Sequence, residues 1–462
     1  MLSRTICGVA AAGLVAGLMS GAVNAQTLED ALVKAYQGNP TLKSERARLR
    51  ATDEGVPQAL SGWRPTVEVS GSYGIERSYG SRSYGSTTGR DKVGDVREPL
   101  TGSLTVSQSL YRGGRTVAAT DQAENNVKAD RARLADVEQS VLLSVVTAYA
   151  DVVRSQAEVE LNVSNERVLQ RQLEATGDRF RVGEVTRTDV SQAESRLASA
   201  RADRIASEGS LIDARAAYEN VVGEPPPLLK PATPLTELPA SLSEAVELAK
   251  RHNFSVSQAR SIERAARNGV RSVIGELLPN LSLNGELESS RETSTDRNES
   301  ESVSLIARVT MPLYASGSVT SRARQAKQIV SQRREEYNQA IRTAIEAATD
   351  AWRTHQTSRA QIQAFSAAIK AAEIALEGVR EEANVGSRTV LDVLDAEQEL
   401  LDARVGLVRA MRDELVATYQ LRQAVGEATA QKLGLPVALY NVEKHYREVR
   451  GKWWGLDASD GK

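Results

Sequence analysis

The stretch VGSRTVLDVLDA, at residues 385–396, repeats the pattern of VGEVTRTDV, at residues 182–190, after an interval of 203 positions. Each copy has a valine–glycine pair, a threonine three residues after the glycine and an aspartate six residues after it. Thr-x-x-Asp spacing just after a glycine is typical of a turn that leads into a second, capped helix. The two stretches therefore predict tight helix–helix turns at Gly183 and Gly386.

These turns belong to a duplication that covers well over half of each copy at the same offset of 203 positions. Landmarks nearer the start of each copy are instead 214 positions apart, as in Asn39 with Asn253 and Pro65 with Pro279. The difference places an 11-residue insertion in the first copy. Its polar stretch at 78–89 predicts a surface loop.

A seven-residue spacing of apolar positions predicts coiled-coil packing in the helices before the turns. No proline or glycine occurs between Arg115 and Thr176, so this helix can reach about 90–100 Å at 1.5 Å per residue. Shorter helices, predicted at 28–60 and 188–222, together match the length of this helix when they are stacked end to end. The predicted seam consists of Val127, Leu134, Val141, Val145, Ala148, Val152 and Val159 in the first copy and of Val330, Tyr337, Ala344 and Ala351 in the second.

Two segments in each copy alternate apolar and polar residues, as β-strands with two different faces do. A half-buried sheet in a soluble protein would show the same pattern, but each segment is near the 9–11 residues that cross a bilayer. Four strands cannot close a spanning barrel, since the smallest have about eight, so membrane strands would require an oligomer. The apolar positions include Val67, Val69, Leu104, Val106 and Leu110 in the first copy and Leu281, Leu283, Leu287, Val303, Leu305 and Val309 in the second.

The first residues predict export. Arg4 precedes a weakly apolar run at 6–19, and Val23-Asn24-Ala25 has the small residues of a cleavage site. The run is too short to span about 30 Å of hydrocarbon. We therefore expect a signal peptide at 1–25 that is removed after Ala25.

Charge and residue usage argue against several functional classes. The formal net charge of −2 gives no electrostatic reason to expect nucleic-acid binding. The only cysteine, Cys7, lies in the predicted signal peptide. His252, His355 and His445 are far apart without the spacing of metal ligands, and we interpret them as polar positions on helix surfaces. We expect no enzymatic activity, no cofactor and no metal.

The helix–hairpin–helix duplication and its two turn motifs resemble the TolC family of outer-membrane efflux and secretion proteins, over roughly residues 27–440. The resemblance implies a mostly α fold with membrane β-strands, in which each protomer has long antiparallel coiled-coil helices and two β-hairpins. It also implies a homotrimer whose α-barrel is continuous with a 12-stranded β-barrel. Along the chain we expect a signal peptide (1–25), a first helix–hairpin–helix repeat (26–224), a proline-rich linker (225–240), a second repeat (241–427) and a C-terminal periplasmic tail (428–462).

The function that the resemblance implies is that of a channel-tunnel in the cell outer membrane, surrounded by lipid, with a long periplasmic extension. An inner-membrane transporter and a periplasmic adaptor protein would dock at its far end and supply exported protein or small molecules. The stretch at 440–456 looks like the tails of members that serve type I protein secretion, which favours secretion over multidrug efflux. A periplasmic coiled-coil scaffold or adaptor, the alternative of a different class, would lack paired hairpins of membrane length.

In the family, an arginine after the second turn binds a Thr-Asp pair after the first turn and helps to close the periplasmic end. Position by position, this implies a gate tether between Arg388 and the pair Thr188 and Asp189. The family's tyrosine three residues before the turn glycine is Ala383 in this chain, so we expect looser closure.

The resemblance also places one helix face of the second repeat at the lumenal constriction. Asp392 and Asp395 are three residues apart and so share that face. A trimer would gather them into an acidic ring that favours cations. Helix capping is a competing interpretation for the aspartates at Thr-x-x-Asp spacing, but Asp395 lies a full turn further in. Because the first copy has Gln192 at the matching position, the ring would come from the second copy alone.

Overall fold

The computed structural model describes residues 25–83, 90–293 and 298–458. The predicted signal peptide, except for Ala25, lies outside the described residues. In the described ranges no helix combines the length and the apolar character needed to cross a membrane.

Each repeat forms helices, a β-hairpin and then one long helical hairpin. The first repeat comprises α1 (Leu28–Gly38), α2 (Pro40–Asp53), α3 (Gly55–Leu60), β1 (Thr66–Tyr73), β2 (Glu76–Ser83), β3 (Arg90–Arg97), β4 (Leu100–Arg112), α4 (Arg115–Arg181) and α5 (Arg187–Val222). The second comprises α6 (Leu242–His252), α7 (Phe254–Ile274), β5 (Asn280–Arg291), β6 (Glu299–Thr310), α8 (Ser318–Asn384) and α9 (Val390–Ala424), and the tail carries α10 (Lys444–Arg450).

The predicted long helices are present, and the seam of the first is buried. Helices α4 and α8 each have 67 residues, which corresponds to about 100 Å. In α8 the seam is buried only at Ala344 and Ala351, whereas Val330 and Tyr337 are half-buried. The buried seam residues of α4 are Val127, Leu134, Val141, Val145, Ala148 and Val152, and Val159 is partly buried beside them.

The prediction of one continuous helix at 28–60 is wrong, because Asn39 interrupts it in an extended conformation (ψ 124°). A residue before proline is disfavoured in the helical region. The Asn39 side chain accepts a hydrogen bond from the Thr41 amide and donates one to the Val221 carbonyl at 2.9 Å. The second repeat has the same break at Asn253, where no proline follows, and there the bond goes to the carbonyl of Ala424.

The predicted surface loop at 78–89 is also wrong for its described part. Residues 76–83 form β2, which pairs with β3 from Glu76 opposite Arg97 to Ser83 opposite Arg90. The insertion therefore lengthens the first hairpin, since antiparallel pairing satisfies the backbone groups of a segment whose composition alone suggests a loop. Residues 84–89 lie outside the described residues.

Strands β1, β4, β5 and β6 form one antiparallel sheet, in the order β1-β4-β5-β6, that joins the two repeats, whereas β2 and β3 form a separate two-stranded sheet. Directly paired positions share a face, so Val69, Leu104, Leu287 and Val303 form one apolar row across all four strands. All four side chains are exposed, Val69 to 79% and Val303 to 83%. The predicted alternation is thus present, and in the single chain its apolar face is uncovered.

One position departs from the predicted alternation. A β-bulge between Ser109 and Tyr111 removes Leu110 from the ladder, and Tyr111 takes the position opposite Leu281. The bulge shifts the side-chain order by one residue, which moves Tyr111 rather than Leu110 onto the apolar face.

The largest core lies midway along the molecule, where the linker and the tail pack around α1, α4, α5 and α9. Tyr149 and Tyr218 are fully buried there. The Tyr149 hydroxyl oxygen lies 2.6 Å from the backbone carbonyl of Lys230 and 2.9 Å from that of Gln26, so its single proton is donated between these two acceptors. Burial raises the pKa of Tyr149 to about 12. This core therefore ties the start of the first repeat and the linker to the long helices.

Candidate functional site at the helix turns

Both predicted turns are present, and each ends a 67-residue helix with a glycine in the left-handed region. The φ angles are 81° at Gly183 and 83° at Gly386, which other residues rarely adopt. The Glu184 amide donates to the Arg179 carbonyl, and the Ser387 amide donates to the Glu382 carbonyl, both at 2.9 Å. This is the Schellman pattern of helix termination. The duplicated glycines thus reverse the chain at the same end of both hairpins.

Capping boxes start the helix after each turn. Thr186 pairs with Asp189, and Thr389 pairs with Asp392, whose carboxylate accepts from the Thr389 amide and hydroxyl at 2.8 Å. These hydrogen bonds hold the pKa of Asp392 below its usual range. Capping therefore accounts for Asp189 and Asp392 within one chain, as the competing interpretation expected.

Asp395 has no capping role and forms an ion pair with Arg196, which joins α9 to α5. Both side chains are partly exposed. The position-by-position comparison of repeats missed Arg196, because it aligned Asp395 with Gln192 and did not consider contacts between the repeats. Each chain therefore brings a cation to the face on which the acidic ring is predicted. The ring itself stays a prediction.

Arg388 is bound locally within the single chain. Its Nε donates to the Glu382 carboxylate at 2.8 Å, just as Arg179 donates to Glu184 at 3.1 Å beside the first turn. Thr188 is exposed, and Asp189 is held by its capping box. The tether between Arg388 and the pair Thr188 and Asp189 is not formed inside one chain and stays a prediction for contacts between chains.

Ion pairs at three levels connect the second helical hairpin to the first. Beyond the pair at Asp395, Arg409 binds Glu158 at 2.9 Å, and Arg412 binds Asp151 at 2.9 Å. Arg412 and Asp151 are half-buried, so their charges are screened less than those of fully exposed pairs. Any rotation of α9 away from α4 and α5 has to break these bonds.

From the sequence, the three histidines are interpreted as polar positions on helix surfaces. This holds for His252, which is exposed, but is wrong for His355 and His445. His355 is buried in α8, and burial lowers its pKa. The Nδ1 atom of His445 lies 3.2 Å from the carboxylate of Asp53. Within the described ranges no three His, Cys, Asp or Glu residues are placed to hold a metal ion.

The sequence matches the family model described as outer membrane efflux protein over residues 31–224 and 245–427. The outer membrane efflux protein BepC of Brucella suis biovar 1 (strain 1330) is 36% identical over 458 residues, which cover 98% of this chain and 97% of BepC. The outer membrane protein TolC of Vibrio cholerae is 28% identical over 91% of this chain and 97% of that protein. The proteases secretion protein PrtF of Dickeya chrysanthemi is 27% identical over 91% of this chain and 92% of PrtF.

Solved structures share the fold. The outer membrane protein VceC from Vibrio cholerae superposes with a TM-score of 0.74 over 86% of this chain and 96% of VceC, at 22% sequence identity. Identity this low establishes the architecture alone.

Proposed function

The chain belongs to the outer membrane efflux protein family, and from this premise we propose that three copies form a channel that conducts exported substrates through the outer membrane. The resemblance to the TolC family, the predicted fold class and the outer-membrane localisation are confirmed. The trimer, its docking partners and its cargo are parts of the proposal.

The observation that carries the proposal is the uncovered sheet with two open edges. Among the described strands, β1 pairs only with β4, and β6 pairs only with β5. Unpaired strand edges cannot exist in hydrocarbon, so the sheet has to close on other copies. Three copies of this four-stranded sheet supply twelve strands, enough for a spanning barrel, and the exposed apolar rows then face lipid.

The opposite face of the sheet suits a water-filled passage. Ser70 bonds Ser103 at 2.8 Å, and Ser72 bonds Thr101 at 2.7 Å, across β1 and β4. Hydroxyl rows line a polar interior and leave the apolar face for the bilayer. The long helices α4 and α8 follow strands β4 and β6 along the chain. Their length suits a tunnel across the periplasm that meets a transporter and an adaptor.

For the cargo, we propose type I protein secretion, on the basis of the tail sequence and the similarity to PrtF, a proteases secretion protein. Multidrug efflux is the second candidate, favoured by the similarity to BepC, an outer membrane efflux protein. Both uses need the same channel, so they differ in partner and substrate rather than in fold.

A deletion strain separates the two uses. Proteins in the culture medium are compared between parent, deletion strain and complemented strain, and drug susceptibility is measured in the same three. Loss of a secreted polypeptide with unchanged susceptibility is the expected result. Increased susceptibility with an unchanged set of secreted proteins would assign efflux, and no change in either measurement would contradict the channel proposal.

A further inference from the structure

The C-terminal tail is fastened to the first repeat by its short helix α10. His445 contacts Asp53, which is 1% exposed, at 3.2 Å. The Tyr446 hydroxyl donates to Glu124 of α4 at 3.3 Å, and Arg450 binds the same carboxylate at 3.2 Å. These bonds to α2 and α4 fix where the chain beyond α10 can lie.

That following segment reaches the point where the first strand begins. Arg64 donates to the Lys452 carbonyl at 2.9 Å, and its guanidinium lies 4.9 Å from the centre of the Trp453 ring. Strand β1 begins two residues later, at Thr66. A cavity of about 440 Å³ opens here between Trp63, Arg64 and Trp453. The tail thus lies at the end of the sheet that adjoins the helices.

The chemistry at this place is apolar and basic together. Trp454 is 86% exposed, and Leu456 is fully exposed. In the described part of the chain, the hydrogen bonds of Arg64 and Lys452 go only to backbone carbonyls. No carboxylate there neutralises the charge of either side chain. Tryptophan is enriched at membrane–water interfaces, and cations there attract anionic headgroups. Val67, where the apolar face of β1 starts, is four residues after Trp63 in the sequence.

We propose that residues 451–456, together with Trp63 and Arg64, form an interfacial anchor that binds phospholipid headgroups of the leaflet facing the periplasm, with a preference for anionic lipid. The inference rests on the proposed function, because it requires the sheet to lie in the bilayer. The tryptophans insert at the headgroup level, and Arg64 and Lys452 bind lipid phosphates.

Quenching by brominated phospholipids tests the anchor, since the chain has four tryptophans and Trp352 provides an internal control. Variants that keep only Trp454 or only Trp352, with the others changed to Phe, are assembled as oligomers in vesicles. Bromine near the headgroup should quench Trp454 and leave Trp352, in the periplasmic helix α8, unchanged. Equal quenching of Trp454 and Trp352 would overturn the anchor. An unquenched Trp454 with blue-shifted emission would also overturn it, because it would mean that protein rather than lipid covers the tail.

A third variant, Leu305→Trp in an otherwise tryptophan-free chain, reports whether the sheet lies in the bilayer. If Leu305→Trp is quenched by deeply brominated lipid while Trp454 is not, the anchor fails and the channel stands. If neither is quenched, the sheet does not lie in the bilayer, and the proposed function fails with the anchor.

The lipid preference is tested with the variant that keeps only Trp454, in vesicles of phosphatidylcholine with and without brominated phosphatidylglycerol. Arg64→Gln and Lys452→Gln should each weaken the local preference for phosphatidylglycerol about fivefold. Lys34→Gln, which removes a cation bound to Glu224 in the periplasmic region, is the matched control and should have no effect. An equal response to all three changes would overturn the headgroup contact.

Discussion

The orientation of the sheet can be tested at two neighbouring residues of β6 that face opposite sides. Leu305 lies on the apolar face opposite Gly285, and Ser304 lies on the polar face opposite Glu286. We predict that Leu305→Arg impairs assembly in the outer membrane, whereas Ser304→Arg assembles and alters conductance. The two variants carry the same new charge, so each controls for the other.

The magnitude follows from the position of Leu305 along the strand. Strand β6 has 12 residues, which span about 40 Å and rise about 28 Å when tilted by about 45°. Leu305 is near the middle of the strand and therefore near the bilayer midplane. Arginine on the lipid face costs about 2–4 kcal/mol there, which shifts the insertion equilibrium of each chain about 30-fold or more.

Ser304→Arg has no such cost, because it faces water and can pair with Glu286 across the strands, for about 0.2–1 kcal/mol. The assay is urea-dependent insertion into lipid vesicles, with the heat-modifiable oligomer band on a gel as the readout of assembly. If both variants insert equally well, the assigned faces are wrong. If only Ser304→Arg fails, the faces are reversed.

Further predictions concern the core and the turns. Tyr149→Phe should make the melting temperature fall less steeply at high pH. Because the pKa of Tyr149 is raised to about 12, its protonated form contributes about 3 kcal/mol to the free energy of unfolding, complete below pH 10 and lost as the pH rises to about 12. A decline as steep as in the wild type would exclude this role. Replacing Asp392 and Asp395 by Ala should reduce cation preference and weaken block by multivalent cations, whereas unchanged selectivity with a lower melting temperature would make both residues purely structural. Arg388→Ser should raise resting conductance. The control Arg179→Ser, which removes the ion pair with Glu184 beside the first turn, should not; equal effects would assign the change to local turn stability.

The features predicted correctly from the sequence are those set by local periodicity. The seven-residue spacing around Val141 and Val145 defines a seam whichever helix covers it, and alternation in β6 defines two faces whatever the sheet packs against. The turn glycines could also be predicted from the sequence, because a turn of this kind needs a left-handed residue followed closely by a capping threonine, and both lie within a few residues of each other.

The features missed depend on contacts between distant segments. The break at Asn253 has no proline to signal it, and its amide bonds the Ala424 carbonyl, which lies far along the chain. Residues 78–83 have the composition of a loop, yet pairing with β3 makes them a strand. The ion pair of Asp395 with Arg196 joins the two repeats at positions that alignment of one repeat on the other does not match.

Planar-bilayer recording from the purified oligomer, with its mass determined in the same detergent, tests the central claim most directly. We predict a mass of three chains and discrete conductance steps of uniform size, which increase when Arg388 is replaced by Ser. A folded oligomer of any other size, or a trimer that leaves the bilayer silent both as wild type and as the Arg388→Ser variant, would contradict the channel.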